Sequence, residues 1–333
     1  MTRPLRQSAL YLGIAFIALA APWVLPSFAT QMAFLWLMVV FALTWDIMGG
    51  QMGYNSFGNI LFFGVGAYVC AVVQRNSGLH YFSALACGAA LAAVGAALLA
   101  ALLGPTVLAL RGHYFAIATL GMGIAAGEIA AGWEYIGAAS GIAPPLYPGA
   151  IQNRGRFFYY LLFFVAALTF SVLARIYRTR FGVAINAIRD DEEKAEAMGI
   201  HTTRYKTAAW CISAFFLGLA GAFAGNLAGF IEPREFAFAG STYGVWMILM
   251  AILGGRGTLW GPVIGAMVFH VTQELFWTYL LGWQRVAMGL FIALVVVFFP
   301  EGIVGSFRKA WSQRAGKGSA SPAPRVRTGE MAG

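Results

Sequence analysis

Ionisable side chains are scarce inside the long apolar runs of this chain, so the few present carry most of its chemical information. Asp46, Glu128, His270 and Glu274 all fall within such runs. A charged side chain at mid-bilayer costs about 2.5–3.5 kcal/mol on insertion scales, so each needs a reason. Asp46 and Glu128 lie toward the ends of their runs, within reach of an interface. His270 and Glu274 are four apart on one helix face, with Gln273 beside them. Two readings stay open for that trio: a polar patch lining a conduit, or a hydrogen-bonded pair between packed helices. Two ligating side chains on one helix are too few for a metal site. Asn226 offers an amide inside the glycine series Gly221, Gly225, Gly229, and Tyr54-Asn55-Ser56-Phe57-Gly58-Asn59 opens an apolar run with unusual polarity. A late helix start there would leave N–H groups free to face a carboxylate.

A second kind of chemistry resides in the one long polar interval, residues 175–206. It carries seven Lys and Arg (Arg175, Arg178, Arg180, Arg189, Lys194, Arg204, Lys206) and five acids (Asp190, Asp191, Glu192, Glu193, Glu196). Asp190-x-x-Glu193 has the form of a capping box, the acids suit the positive end of a helix, and Gly199 stands where a left-handed C-cap is wanted. The spacing predicts a short helix over about residues 191–198, with Ala195 and Met198 forming a small apolar face. Such a helix either tops a solvated loop that only fixes topology or docks on a partner protein.

Other chemistries find little support. The chain contains no HExxH or GxSxG, which leaves an intramembrane enzyme the weakest reading. Gly316-Lys317-Gly318-Ser319 does not meet the phosphate-loop pattern and follows no strand. Cys70, Cys87 and Cys211 lie singly in apolar segments and read as small hydrophobes. The net charge of +9 does not point to nucleic acid, because the basic residues sit in loops and a tail without a continuous face.

The elements that hold these groups follow from composition. Hydrophobic residues make up 60% of the 333 positions, and one span uses about 20 of them, which makes room for roughly ten spans. They are expected near 9–25, 31–49, 56–75, 81–103, 113–133, 157–175, 208–231, 241–255, 262–281 and 285–303. The first is read as a retained span in preference to a cleaved signal, although Ala18-Leu19-Ala20 fits a peptidase site. With the N-terminus inside, all but five of the 22 Lys and Arg (Arg75, Arg154, Arg156, Arg234, Arg285) fall on the inner side. The positive-inside rule therefore places both termini and the 175–206 interval in the cytoplasm. The expected organisation is an all-α polytopic membrane domain over 1–307, with the polar loop at 176–206. A basic, Ser/Pro/Gly-rich tail follows at 308–333. Gly123-x3-Gly127 and the Gly221 series strip two helix faces bare, for close packing or for a smooth conduit wall. A self-sufficient ion-coupled carrier of small polar solutes, using Glu128, His270 and Glu274, is the main alternative to a partner-driven one.

Ser56 to Asn59 with Gly64 to Tyr68, Arg111 to Leu120, Phe181 to Asp190 with Ala197 to Ile200, Tyr205-Lys206, Ser213 to Gly221, Gly254 to Pro262, and Phe299 to Gly302 follow one another along the chain. In that order they resemble one family, the LivM-type membrane permeases of branched-chain amino acid ABC importers. The resemblance implies a type II ABC importer fold in a bacterial inner membrane. It further implies a second, LivH-like permease subunit, two cytoplasmic ATPases that use ATP and Mg, a periplasmic solute-binding protein, and no cofactor on this chain. Ile188, Arg189, Asp190, Glu193, Ala195, Met198 and Gly199 would belong to the coupling helix that seats on an ATPase. Asn55, Asn59, Thr119, Asn226, His270 and Glu274 would line the path. Gly137-Ala138-Ala139-Ser140-Gly141 departs from the Thr-Gly-Gly-type turn usual there, so the solute stays open among branched-chain amino acids, urea, amides and aromatic acids.

Overall fold

The computed structural model describes residues 18–298 and 302–305. The 308–333 tail, the first half of the expected N-terminal span and most of Phe299 to Gly302 lie outside the described residues. Regular structure among the described residues is helical, with a single bridge, Ile142 to Ile231, standing apart from any strand. The long helices are α1 (Ala29–Gly49), α2 (Ile60–Asn76), α3 (Tyr81–Val107), α4 (Gly112–Gly132) and α5 (Ile151–Ile176). Two short helices follow, α6 (Arg180–Asp190) and α7 (Glu192–Ala197), and then α8 (Thr202–Ala228), α9 (Val245–Gly254), α10 (Gly261–Tyr279) and α11 (Gln284–Phe298).

Among the described residues, six segments are long and apolar enough to cross a bilayer: Pro26–Gly49, Tyr81–Val107, Gly112–Gly132, Asn153–Ile176, Thr202–Ala228 and Pro233–Gly254. That is fewer than the ten expected from composition. Polar residues at the start of the third expected span are the clearest reason, since Tyr54 to Asn59 stay non-helical and α2 begins only at Ile60. The Pro233–Gly254 segment is itself broken, with π-helical turns at Pro233–Ala237 and Gly240–Gly244 before α9.

α8 is the centre of the bundle, buried on every face from Ala220 to Leu227. Small residues let its neighbours in: a Cβ on Gly221 would stand 2.1 Å from the Phe63 carbonyl of α2, and one on Gly218 2.6 Å from the Ala92 carbonyl of α3. The glycine series is therefore a packing face, as close helix approach in apolar surroundings requires. Arg154 closes the far end of α8 by donating to the Asn226 and Leu227 carbonyls at 2.9 and 2.5 Å. α4 is the opposite case. Only Phe115, Thr119, Gly123, Gly127 and Ala130 are buried, so it touches the bundle along one narrow ridge. Tyr114, Ile117, Ile124 and Ile129 on its other faces are exposed.

Candidate functional site

The polar interval folds into α6, α7 and the turns around them. α6 was not foreseen; it exists because Gly182, Ala184, Ile185 and Ile188 recur at helical spacing and bury one face. The short helix after it forms where expected, over Glu192–Ala197, but its N-cap is Asp191 and not Asp190. The Asp191 carboxylate accepts from the Lys194 N–H at 3.1 Å, whereas Asp190 ends α6 and pairs with Arg189 at 3.0 Å. The C-terminus closes as a Schellman motif. The Ile200 N–H donates to the Ala195 carbonyl at 3.0 Å and the Gly199 N–H to the Glu196 carbonyl at 2.9 Å. Gly199 adopts φ +87°, a conformation that suits glycine.

The apolar face expected of this helix splits in two. Met198 is 84% exposed, but Ala195 is 3% exposed and packs into the chain's own core. Ala195 occupies the C3 position under Ile200, so the cap itself turns it inward. Ile188 is buried in the same way, Glu193 is exposed, and Arg189 lies over Gly53.

What fixes α7 to the bundle is a cluster that spacing along the chain does not reveal. Lys206, buried near the start of α8, donates to Glu192 Oε1 at 2.7 Å, to Tyr54 Oη at 2.9 Å and to the Leu108 carbonyl at 2.8 Å. An ammonium has three donors, and all three are used. Tyr54 in turn donates to Glu192 Oε2 at 2.5 Å. Arg111, the residue that caps α4, approaches Glu192 at 3.6 Å and Glu193 at 3.3 Å. One carboxylate of α7 thereby joins the start of α8, the end of α3, the start of α4 and the extended 51–59 stretch. A buried charge persists only when it is paired and hydrogen-bonded, and this one is.

Titration follows from these contacts. Burial alone would push the Glu192 carboxyl up, but the bonds from Lys206 and Tyr54 and the charges of Lys206 and Arg111 outweigh it and hold the group below its usual value. Burial, then the adjacent carboxylate, keeps the Tyr54 phenol well above its ordinary range. A carboxyl depressed in the folded state adds stability that is complete above its unfolded value and lost as pH falls through the folded one. The stability of the wild type should therefore fall more steeply with acid than that of a Glu192→Gln variant, which has no carboxyl to protonate at this position. Tryptophan fluorescence against pH reports this; equal acid limbs for the two proteins would contradict it.

Most residues expected along a path are bonded to other groups inside the bundle. Asn226 donates to Gln74 at 2.9 Å and to the Ala222 carbonyl at 3.0 Å, and accepts from Tyr81 at 3.2 Å. Asn59 bridges Ser213 and Trp210 at 3.4 and 3.3 Å, and Thr119 accepts from the Phe57 N–H at 3.1 Å. These three are internal braces, and the N–H of the late helix start is used by Thr119. Asn55 is exposed. His270 is buried with Nε2 3.0 Å from the Gln31 carbonyl, while Glu274 is only half-buried, and no hydrogen bond joins the two among the described residues. Asp46, expected to reach an interface, is buried and accepts from the Gly257 N–H at 2.8 Å, fastening the Gly254 to Pro262 turn to α1.

The architecture and the sequence pattern agree with comparisons across known proteins. The family described as branched-chain amino acid transport system / permease component matches residues 27–299. The chain belongs to that permease family. The high-affinity branched-chain amino acid transport permease LivM of Salmonella typhimurium is 26% identical to it over 94% of this chain and 78% of that protein. LivM of Escherichia coli is also 26% identical, over 90% and 75%. The LivH permease of Salmonella typhimurium is 29% identical over 44% of this chain and 46% of its own length. No solved structure matches the permease. The permease is accordingly the multi-pass membrane subunit of a branched-chain amino acid ABC importer.

Proposed function

We propose that the permease moves branched-chain amino acids inward through force applied in trans to α7 by ATPases that are separate polypeptides. The observation that carries this is the wiring of α7: Met198 stands exposed at its C-terminal end while Glu192, its first residue, is bonded to Lys206, Tyr54 and Arg111. A push on α7 then reaches α8 through Lys206 and α4 through Arg111 without any intervening loose loop. In this reading α6 and α7 and both termini face the cytoplasm of a bacterial inner membrane, as the distribution of Lys and Arg favours. The full chain forms a ten-span type II importer fold beside a LivH-like second permease, a periplasmic binding protein delivers the solute, and ATP and Mg act only on the ATPases.

Uptake into proteoliposomes holding the assembled importer tests this directly. Labelled leucine should accumulate with ATP on the ATPase side and be indifferent to protonophores and Na⁺ ionophores. Uptake that collapses with an ion gradient while ATP persists selects the ion-coupled alternative.

A further inference from the structure

Beside α4 lies a cavity of about 500 Å³ whose lining is sorted by polarity. At one end Glu128 of α4 and Arg234 of the first π-helical turn form a two-point pair, Nε to Oε1 at 2.9 Å and the second nitrogen to Oε2 at 2.7 Å, with Glu235 adjacent. At the other end are Phe57, Leu120, Ile124 and Val245. Leu120 and Glu128 are eight residues apart on one helix, roughly 12 Å. Both charged side chains are more than half exposed, so the pair faces open space and not packed protein.

The backbone around the pair is unusual in the same place. Residues Pro233–Ala237 and Gly240–Gly244 are π-helical, and Glu232 accepts from the Arg234 and Glu235 N–H groups to hold the first of these turns. Irregular backbone within a membrane is stable where it lines a polar cavity, and π turns gather at functional sites. An arginine–glutamate pair that lies in apolar surroundings yet is left open has the charge pattern of a zwitterion. A free α-amino acid can replace each partner of the pair, carboxylate on Arg234 and ammonium on Glu128, with no net change of charge in the cavity.

We propose that this cavity is a solute site for zwitterionic α-amino acids with apolar side chains: Arg234 and Glu128 take the head group while Leu120, Ile124 and Phe57 take the side chain. The proposal deepens the transport reading and rests on it. A cavity of this volume lies in the range of about 300–1,000 Å³ usual for small-molecule sites. A monocarboxylate or a simple amine would leave one member of the pair unmatched, which is how the site would exclude them.

The test uses the complete importer in proteoliposomes, with leucine uptake and ATP hydrolysis followed together and both normalised to assembled complex. Glu128→Gln and Arg234→Gln should each cut leucine uptake about 10- to 100-fold, the loss of one charge-assisted contact, while ATP hydrolysis continues. The exchange pair Glu128→Arg with Arg234→Glu rebuilds a tether but reverses the head group relative to the apolar end, and should not restore uptake. Ile124→Trp shortens the apolar end without touching the charges and should lower leucine uptake relative to valine. Restoration of uptake by the exchanged pair, full uptake in either single variant, or an unchanged leucine-to-valine ratio in Ile124→Trp overturns the site. If the unaltered importer carries no amino acid, the transport reading falls first and the site with it.

Discussion

Lys206→Met should destabilise the permease more than any other conservative substitution outside its glycine contacts. Methionine nearly matches the lysine stem in length and is apolar, so packing in the 3% exposed site is kept and only the charge and its donors are lost. The loss is severe because of what remains. Glu192, at 12% side-chain exposure, keeps Tyr54 but loses its buried counter-ion, and the Leu108 carbonyl at the end of α3 loses its donor. Removing one member of a buried pair costs about 3–5 kcal/mol, and the residual exposure of Glu192 and the nearby Arg111 place this case near 3 kcal/mol. A thiol-reactive dye reporting on buried Cys70 during a thermal ramp, in a background with Cys87 and Cys211 changed to Ala, would measure it. The double change Lys206→Met, Glu192→Gln removes the orphaned charge and should recover part of the loss. A double variant no more stable than Lys206→Met would mean that the pair is not what holds α7.

How much of this was legible beforehand depended on the range of the interaction. Asp191, Lys194, Gly199 and Ile200 make their bonds within one short helix, so local spacing predicted that helix and missed only which aspartate caps it. Asp190 precedes Glu193 at the capping-box distance whereas Asp191 has Lys194 there, yet α6 claims Asp190 as its last residue and leaves the cap to Asp191. The inward turn of Ala195 was not legible, because which side of a six-residue helix meets α8 is a tertiary fact. Lys206, Tyr54 and Glu192 looked like three unrelated loop residues, since their bonds cross 152, 138 and 14 positions of sequence. Asn226 misled for a related reason. Its amide looked available, yet Gln74, Tyr81 and Arg154 converge on its side chain or carbonyl from three other helices or helix starts. Glu128 could be noticed as an intramembrane acid, but Arg234 is 106 positions away, and nothing in the order of residues says that they meet beside a cavity.

Met198→Asp should uncouple the importer while leaving the permease folded. Met198 is 84% exposed at the end of a helix whose two caps are complete, so the substitution removes no internal contact of consequence, and surface changes of that kind stay within about 0.5 kcal/mol. On a docking surface the same change is costly, because an aspartate must be desolvated at the negative end of the α7 dipole. If Met198 is a central contact, truncation or charging at such a position costs about 2–4 kcal/mol, roughly 30- to 1,000-fold in ATPase affinity. Leucine uptake should fall with occupancy and return in part at high ATPase concentration, a recovery that an unfolded permease would not show. Ala195→Arg cannot serve as the probe, since its side chain would have to enter the core and would abolish docking by disrupting α7 itself. Normal ATPase affinity in Met198→Asp would place the docking contact elsewhere on the α6–α7 surface, with exposed Val183 of α6 the next residue to charge. A second normal result there would remove α6 and α7 from the path of force altogether.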